Sequence, residues 1–231
     1  MLETRGLTRH YGASQILHGI DLVARAGEVT CIMGTNGTGK FSFFKALSCT
    51  HPCSGGTVTL NGEDVPLVRP QGIVTRGLGY VPQGRMIFPL LTVGENLATA
   101  YATLSRSEHR VPAEIYDLFP VLKDMDHRRG GDLSGGQQQQ LAIARAMMMK
   151  PKVPLLDEPT EGIQPNINQQ IGRVISLLRA KGDMAIVLVE QYFDFAYDLA
   201  DSFFIFERGR VTTRCRKEQL TREHLRQGLS L

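Results

Sequence analysis

Residues 28–49, EVTCIMGTNGTGKFSFFKALSC, decide the fold of this chain. A short apolar, β-rich run at residues 28–33 leads into a loop with the sequence Gly34-Thr35-Asn36-Gly37-Thr38-Gly39-Lys40, and residues 40–49 contain neither Gly nor Pro. A strand, a glycine-rich loop ending in lysine and a helix form the context in which a loop binds phosphate. The glycines let backbone N–H groups point inward, and the helix N-terminus and Lys40 attract the β- and γ-phosphates. The pattern therefore predicts a nucleotide-binding loop rather than an ordinary glycine-rich turn.

The residue after the lysine departs from the phosphate-loop pattern. A Ser or Thr there would give its hydroxyl to Mg²⁺, but the residue is Phe41, whose ring cannot serve an ion that takes six oxygen ligands. Ser42 is adjacent, but one helical step turns its side chain by about 100°. The sequence leaves three outcomes open: Ser42 reaches the metal after a local distortion, a water fills the position, or the metal site is weakened.

Alternating periodicities on both sides of this stretch predict an α/β protein with a mainly parallel sheet covered on both faces, because strands and helices take turns along the chain. Residues 91–150 lack β-branched runs and are predicted to form a helical insert. Residues 16–23 and 57–60 predict strands before the insert, with Asn61-Gly62 as a turn. The remaining predicted elements are helices at residues 93–104, 113–119, 137–149 and 167–180, and strands at residues 153–156, 184–189 and 202–206.

Bulk properties narrow the class of protein. The net charge is +3, from 26 basic and 23 acidic residues, which is too weak to indicate a nucleic-acid partner. No apolar run approaches the roughly 20 residues of a membrane span, and the N-terminus lacks a signal-peptide pattern, so we expect a cytoplasmic protein. Cys31, Cys49, Cys53 and Cys215 are expected to be reduced free thiols, because a structural zinc would need a second close pair of ligands.

Two adjacent acids follow an apolar strand at residues 153–158. At this position Asp157 would hold Mg²⁺ through its water shell, and Glu158 would polarise the attacking water as a general base. The alternative is a solvated pair of acids at a strand end. Pro154 is unusual in a central strand, where proline removes a ladder hydrogen bond, so we expect local distortion there.

The segment Ser134-Gly135-Gly136-Gln137 begins a predicted helix and presents a hydroxyl and bare backbone N–H groups, which suits a second face for a γ-phosphate. With the phosphate loop and the acid pair, it makes the chain resemble the ATP-binding-cassette (ABC) subunits, of which this segment is the signature. The resemblance implies a P-loop NTPase core with an antiparallel N-terminal β part. It also implies that ATP and Mg²⁺ bind between the phosphate loop of one subunit and the signature of another.

Further roles follow from the resemblance, which covers nearly the whole chain. It implies that Tyr11 stacks on adenine, although an ordinary strand-end tyrosine is the alternative, and that Gln83 touches the metal and the water. Residues 161–165 match the loop that crosses the dimer interface. Gln191 stands where most relatives have a histidine that senses the γ-phosphate; glutamine can donate a hydrogen bond but carries no proton charge near neutral pH.

The resemblance also indicates a branch of the family. Residues 83–97 and 189–191 resemble the importers of branched-chain amino acids, amides and urea, and residues 157–165 and 190–196 look most like the urea-importer ATPase. No residue of such a subunit touches the transported solute, so this prediction rests on similarity alone.

The resulting hypothesis is one ABC ATPase domain with a nucleotide-binding core at residues 1–90 and 151–210, the insert at 91–150 and a tail at 211–231. It would pair as a homo- or heterodimer, bind membrane permeases at the cytoplasmic face of the inner membrane, and serve a solute-binding protein indirectly.

Phe41 and Pro154 favour an alternative, a nucleotide-binding but hydrolysis-poor partner of a sister ATPase. A cassette protein of DNA repair or translation would carry long coiled-coil insertions or tandem cassettes, and neither is present.

Overall fold

The structure, a computed structural model, describes residues 1–66, 70–219, 221–223 and 226, with residues 70 and 71 described by their backbone alone. The described strands fall into two sheets. Their bounds are β1 Leu2–Tyr11, β2 Ser14–Ala24, β3 Glu28–Met33, β4 Gly55–Leu60, β5 Glu63–Asp64, β6 Leu78–Val81, β7 Val153–Asp157, β8 Ala185–Val189, β9 Ser202–Glu207 and β10 Arg210–Arg216.

The helices lie between the strands and in one long insert. Their bounds are α1 Lys40–Leu47, α2 Pro70–Val74, α3 Val93–Ala98, α4 Ala113–Leu118, α5 Pro120–Asp124, α6 Gly135–Met148, α7 Pro165–Ala180 and α8 Phe193–Leu199. Short 3₁₀ turns occupy Thr99–Thr103, Arg106–Glu108, Gly130–Asp132 and Lys217–Gln219. Among the described residues, no helix combines the length and the apolar character needed to cross a membrane.

The larger sheet has the order β10-β9-β3-β8-β7-β6 and is parallel from β9 to β6, with β10 antiparallel to β9 at its edge. Every residue of β7 and β8 is buried, as strands covered on both faces require. The mainly parallel α/β sheet is therefore confirmed. The part predicted as a tail contributes β10 to this sheet, so the sheet extends to Arg216.

The smaller sheet is the antiparallel N-terminal part, with the order β2-β1-β4-β5. Asn61 and Gly62 join β4 to β5 with φ of 53° and 85°. Two successive left-handed residues make the two-residue turn that matches the twist of a hairpin. The predicted turn and the strand before it are confirmed, and the structure shows that this strand pairs with β1.

Residues 91–150 fold as the predicted helical insert, and within this fully described stretch the one ladder contact is an isolated bridge between Thr92 and Arg129. Helix α3 begins with a capping box in which the Thr92 hydroxyl accepts from the Glu95 N–H while the Glu95 carboxylate accepts from the Thr92 N–H. The helix predicted over residues 93–104 is shorter, since α3 ends at Ala98 and continues as a 3₁₀ turn.

The distortion predicted at Pro154 does not occur. The register between β6 and β7 runs through the Gly79–Pro154 pair without a shift. On the other side, β8 pairs with β7 only from Leu155 onward, so the proline lies at the start of this ladder. A strand tolerates proline near its first residue, where fewer ladder bonds are lost.

Two hydrophobic cores hold the elements together. One packs α6 against the other helices of the insert and against α7, and the other lies between the two sheets and encloses α1. Phe43 and Phe44 of α1 are fully buried, and the Phe43 ring centroid lies 5.5 Å from that of Phe206 in β9. The helix that follows the glycine-rich loop is thus fixed between both sheets.

Phe43→Ala tests this anchoring. The substitution is expected to lower the free energy of unfolding by about 3–5 kcal/mol, because it removes a fully buried ring and leaves a cavity. Leu177→Ala is the control: this side chain is 56% exposed, and the change should stay within about 0.5 kcal/mol. Urea denaturation of both variants measures the difference. Equal effects would contradict the packing of α1 described here.

Candidate nucleotide-binding site

The glycine-rich loop connects β3 to α1 and adopts a backbone that only glycine tolerates at three points. Gly34, Gly37 and Gly39 have φ of 147°, 80° and 103°. A Cβ added to Gly34 would lie 2.3 Å from the Phe206 carbonyl oxygen, so β9 closes one side of the loop. Thr38 holds the turn internally, because its hydroxyl donates to the Thr35 carbonyl at 2.9 Å.

The Lys40 ammonium is folded over this loop. It is 5% exposed and donates to the carbonyl oxygens of Gly34 at 2.6 Å and Thr35 at 2.8 Å. Burial lowers the pKa of Lys40, and the nearby carboxylates of Glu158 and Asp157 oppose that shift. A phosphate group arriving at the loop would offer stronger acceptors than these two carbonyls.

Phe41 and Ser42 occupy the first turn of α1. The Phe41 ring is 42% exposed, and the Lys45 Nζ lies 3.9 Å from its centroid, a cation–π contact one helical turn along. Ser42 is half-buried, and its carbonyl oxygen accepts from Arg9 Nη1 at 3.2 Å. The position directly after the lysine therefore carries a ring and no side-chain oxygen.

The predicted acid pair ends β7. Asp157 is 2% exposed, and burial raises the pKa of its carboxyl to about 6, although the Tyr80 hydroxyl, which donates to Oδ2 at 3.2 Å, lowers it in part. Glu158 leaves the strand with a φ of 46°, and its N–H donates to the Val189 carbonyl at 2.9 Å. The two carboxylates have different hydrogen-bond partners, Tyr80 for Asp157 and two glutamines for Glu158, so they can take different roles.

Two glutamines hold the Glu158 carboxylate, one on each oxygen. Gln83 Nε2 donates to Oε2 at 3.2 Å and also to Glu161 Oε2 at 3.0 Å. Gln191 Nε2 donates to Oε1 at 2.5 Å and also to Asn36 Oδ1 of the glycine-rich loop at 2.9 Å. The structure thus brings together Asn36, Gln83, Glu158 and Gln191. A cavity of about 410 Å³ lies beside Asn36, Glu158 and Gln191.

Tyr11 ends β1 and stays outside this cluster. Its side chain is 73% exposed, and it pairs with Ser14 across the end of the β1–β2 hairpin. The same hairpin approaches the loop, since a Cβ on Gly39 would lie 3.2 Å from the Leu17 Cδ2. An exposed ring on a hairpin that packs against the loop is compatible with stacking on a base.

Ser134 is the N-cap of α6 and forms a capping box with Gln137, which the sequence interpretation did not predict. Its hydroxyl accepts from the Gln137 N–H at 3.4 Å, while the Gln137 side chain accepts from the Ser134 N–H at 2.9 Å. Gly135 and Gly136 allow close approach, because an added Cβ would lie 2.9 Å from the Arg85 guanidinium and from Ile167 respectively. These residues line a second cavity of about 330 Å³.

The two cavities share no lining residue, so Ser134 lies outside the cavity that Asn36, Glu158 and Gln191 line. The segment after Glu158 runs from one to the other: Thr160 and Glu161 line the first cavity, and Gly162 to Gln164 line the second. The Ser134 cavity and the cavity beside the glycine-rich loop are therefore separate, and this segment of the chain connects them.

The structure also places, beside the predicted site residues, three residues to which the sequence interpretation gave no role. Tyr80 hydrogen-bonds Asp157, Arg85 packs on Gly135, and Glu190 is a buried carboxylate between two loops. An acid that directly follows an entirely apolar strand is a signal that could have singled out Glu190.

The side chains of the site can be compared with the ligands that Mg²⁺ usually takes in proteins. Among the described residues, no cluster of three or more His, Cys, Asp or Glu side chains is placed to hold a metal ion. Magnesium is usually bound by one or two carboxylates together with substrate phosphates and water, and the buried Asp157 is a carboxylate of this kind. The residues therefore fit a magnesium ion that would take most of its ligands from phosphate and water. The roles of Asp157, through the water shell, and of Gln83 stay predictions.

A mainly parallel α/β sheet with a glycine-rich phosphate loop after β3 and an acid pair at the end of β7, with β8 between these two strands, defines a P-loop NTPase. The family model described as ABC transporter matches residues 17–161, and the chain belongs to this family. The Pseudomonas aeruginosa high-affinity branched-chain amino acid transport ATP-binding protein BraG is 37% identical over 212 residues, 91% of each chain. The probable branched-chain amino acid transport ATP-binding protein LivF of Archaeoglobus fulgidus is 35% identical over 91% of this chain and 90% of its own.

Solved structures agree on the fold. A nucleotide-free ATP-binding cassette from an ABC transporter superposes with a TM-score of 0.88 at 24% identity, covering 100% of this chain and 95% of that one. A bacterial ABC transporter cassette solved as a dimer gives a TM-score of 0.84 at 24% identity, over 94% and 99%. These similarities confirm the cassette fold expected from the sequence.

Proposed function

We propose that this chain is the ATP-hydrolysing subunit of an ABC importer and drives the uptake of a small polar solute. The observation that carries this proposal is the Glu158 carboxylate, held between the amides of Gln83 and Gln191 and linked through Asn36 to the phosphate loop. A carboxylate fixed on both oxygens beside a phosphate-binding loop is suited to orient and deprotonate an attacking water.

Each residue then has a role in the reaction. The loop N–H groups and Lys40 bind the phosphates, and Tyr11 stacks on the adenine. Glu158 accepts the proton of the water, while Gln83 and Gln191 keep its carboxylate aimed at the loop. Bound Mg²⁺ would neutralise charge that develops on the phosphates. The separation of the Ser134 cavity from the loop supports a nucleotide shared by two subunits, either two copies of this chain or this chain and a sister ATPase.

The partners and location follow from the family. The helical insert would pass motion to permease subunits at the cytoplasmic face of the plasma membrane, and a solute-binding protein would act upstream of them. The relatives named for branched-chain amino acid transport support an amino acid as cargo. Urea, the cargo that the resemblance at residues 157–165 and 190–196 put first, stays an untested prediction.

A second candidate function is that of a hydrolysis-poor partner of a sister ATPase. The exposed Phe41 ring in the first turn of α1 favours it, because that position offers no side-chain oxygen to a metal. The intact contacts of Glu158 oppose it. Magnesium-dependent turnover by the purified chain separates the two functions: turnover supports the motor, and ATP binding without turnover supports the partner.

Lys40→Ala tests nucleotide binding itself. Removing the buried ammonium is expected to weaken ATP affinity about ten- to hundredfold, because charge-assisted hydrogen bonds contribute about 1.5–3 kcal/mol. Lys181→Ala is the control, since this lysine pairs with Glu114 on the surface. Titration with a fluorescent ATP analogue measures both variants, and unchanged affinity in Lys40→Ala would contradict the proposal.

A further inference from the structure

Glu190 is a buried acid at the carboxyl end of β8. It is 2% exposed, and four hydrogen-bond donors surround its carboxylate. Oε1 accepts from the Thr160 N–H at 3.1 Å and from the Thr160 hydroxyl at 2.6 Å. Oε2 accepts from the N–H groups of Gln191 at 3.0 Å and Tyr192 at 3.1 Å. Each oxygen thus serves one loop, and the side chain joins the loop after β7 to the loop after β8.

The arrangement suits a carboxylate and no other side chain of this length. An ionised carboxylate is an acceptor on both oxygens, with about four lone-pair sites, and four donors occupy them here. A glutamine could accept on one oxygen only, and its NH₂ group would face two further donors. Burial raises the pKa of Glu190, while these hydrogen bonds act in the opposite direction.

The two loops held by Glu190 are the loop that follows Glu158 and the loop that carries its hydrogen-bond partner Gln191. Thr160 lies two residues after Glu158, and the backbone of Gln191 is fixed while its side chain reaches Glu158 Oε1 and Asn36 Oδ1. A shift of either loop would move the Gln191 amide relative to the Glu158 carboxylate. We propose that Glu190 is a positioning residue for hydrolysis: it clamps the loops after β7 and β8 together so that Gln191 stays on Glu158.

The clamp also connects the two cavities of the subunit. The loop that begins at Thr160 continues to Gly162 and Gln164, which line the cavity of Ser134. Tying this loop to Gln191 therefore couples the phosphate-loop side of the subunit to the signature side. This consequence rests on the proposed function, because it assigns Gln191 a role beside the γ-phosphate.

Glu190→Gln tests the clamp. We expect kcat for ATP hydrolysis to fall roughly a hundredfold, because small displacements of a reacting group have costs of this size, while the Kd for ATP stays within about threefold. Asp201→Asn is the matched control. Asp201 also bridges two elements, accepting from the Val29 N–H at 2.9 Å and from Arg179 Nη2 at 2.5 Å, but it lies outside the site. Asp201→Asn should lower Tm without changing kcat.

A double-variant cycle separates positioning from general stability. If Glu190 acts through Gln191, Glu190→Gln adds little further loss of kcat in a Gln191→Ala background. Full additivity of the two losses would overturn the proposal. If Glu190→Gln does not fold, Thr160→Val removes only the 2.6 Å hydroxyl bond and should lower kcat about fivefold without affecting ATP binding. An unchanged kcat in that variant would also count against the clamp.

Amide hydrogen exchange gives a readout that needs no hydrolysis. In Glu190→Gln the loop facing the new NH₂ group loses its acceptor, so exchange should accelerate at Thr160 or at Gln191 and Tyr192, and remain at the parental rate in Asp201→Asn. Unchanged exchange at all three amides would overturn the clamp. A parental chain that fails to hydrolyse ATP would instead contradict the proposed function, and the exchange measurement would still decide whether Glu190 joins the loops.

Discussion

Replacing Phe41 by threonine is expected to raise magnesium-dependent ATP turnover about a hundred- to thousandfold, the usual effect of one electrostatic contact to a transition state. The parent should bind ATP with little help from magnesium, because Lys40, the loop N–H groups and Tyr11 grip phosphate and base without it. Threonine would supply the missing hydroxyl in the first turn of α1. Turnover and ATP affinity, each with Mg²⁺ and with a chelator, measure the effect.

Phe41→Val is the matched control, since valine has the shape of threonine without its hydroxyl. Both variants remove the cation–π contact with Lys45, so that contact cancels from the comparison. Only Phe41→Thr should gain turnover. Fast parental turnover that threonine does not improve would show that Ser42 or water already completes the metal shell, and Ser42→Ala would then distinguish those two. Whether Ser42 or water completes the shell, fast parental turnover would contradict the hydrolysis-poor function.

Short sequence patterns were sufficient to predict the main elements of the fold. Glycines at positions that need positive φ marked the phosphate loop, Asn61-Gly62 marked a hairpin, and a change of periodicity marked the insert. These features depend on a few neighbouring residues, so a sequence displays them directly.

Features that depend on distant packing were less predictable. The helix beginning at Val93 passes into a 3₁₀ turn at Thr99, and its propensities gave no sign of this end. Pro154 is tolerated because β8 joins its strand only at Leu155, which is a matter of register. Neither outcome can be worked out from residues close in the chain.

In the site, too, features set by neighbouring residues were predictable and features set by distant packing were not. Asp157 and Glu158 are adjacent and follow an apolar strand, so their place was visible in the sequence. The contact between Gln191 and Asn36 joins residues 155 positions apart and exists only because β8 lies beside β3 in the sheet. The raised pKa of Asp157 likewise arises from burial, which the order of strands creates.

Replacing Glu158 by glutamine is expected to lower ATP turnover about a hundred- to ten-thousandfold, the contribution of a general base, while ATP binding is retained. The substitution keeps the size of the side chain but gives one oxygen position an NH₂ group. That group would face the amide of Gln83 or Gln191, so one of those amides must rotate to accept from it. Because the bound ATP is not hydrolysed, the ATP-bound dimer should then accumulate.

The measurement is best made in the Phe41→Thr background, because a parent with slow turnover has little activity to lose. Glu161→Gln is the comparison: Glu161 also accepts from Gln83, at 3.0 Å, but it is exposed and is expected to cost less than about tenfold. Turnover and size-exclusion chromatography with saturating ATP and Mg²⁺ provide the two readouts. Turnover of Glu158→Gln within tenfold of its background would contradict the general-base role. A variant that binds ATP and stays monomeric would rule out nucleotide-driven dimers of this chain alone, and the sister ATPase or the permeases would then be needed to complete the site at Ser134.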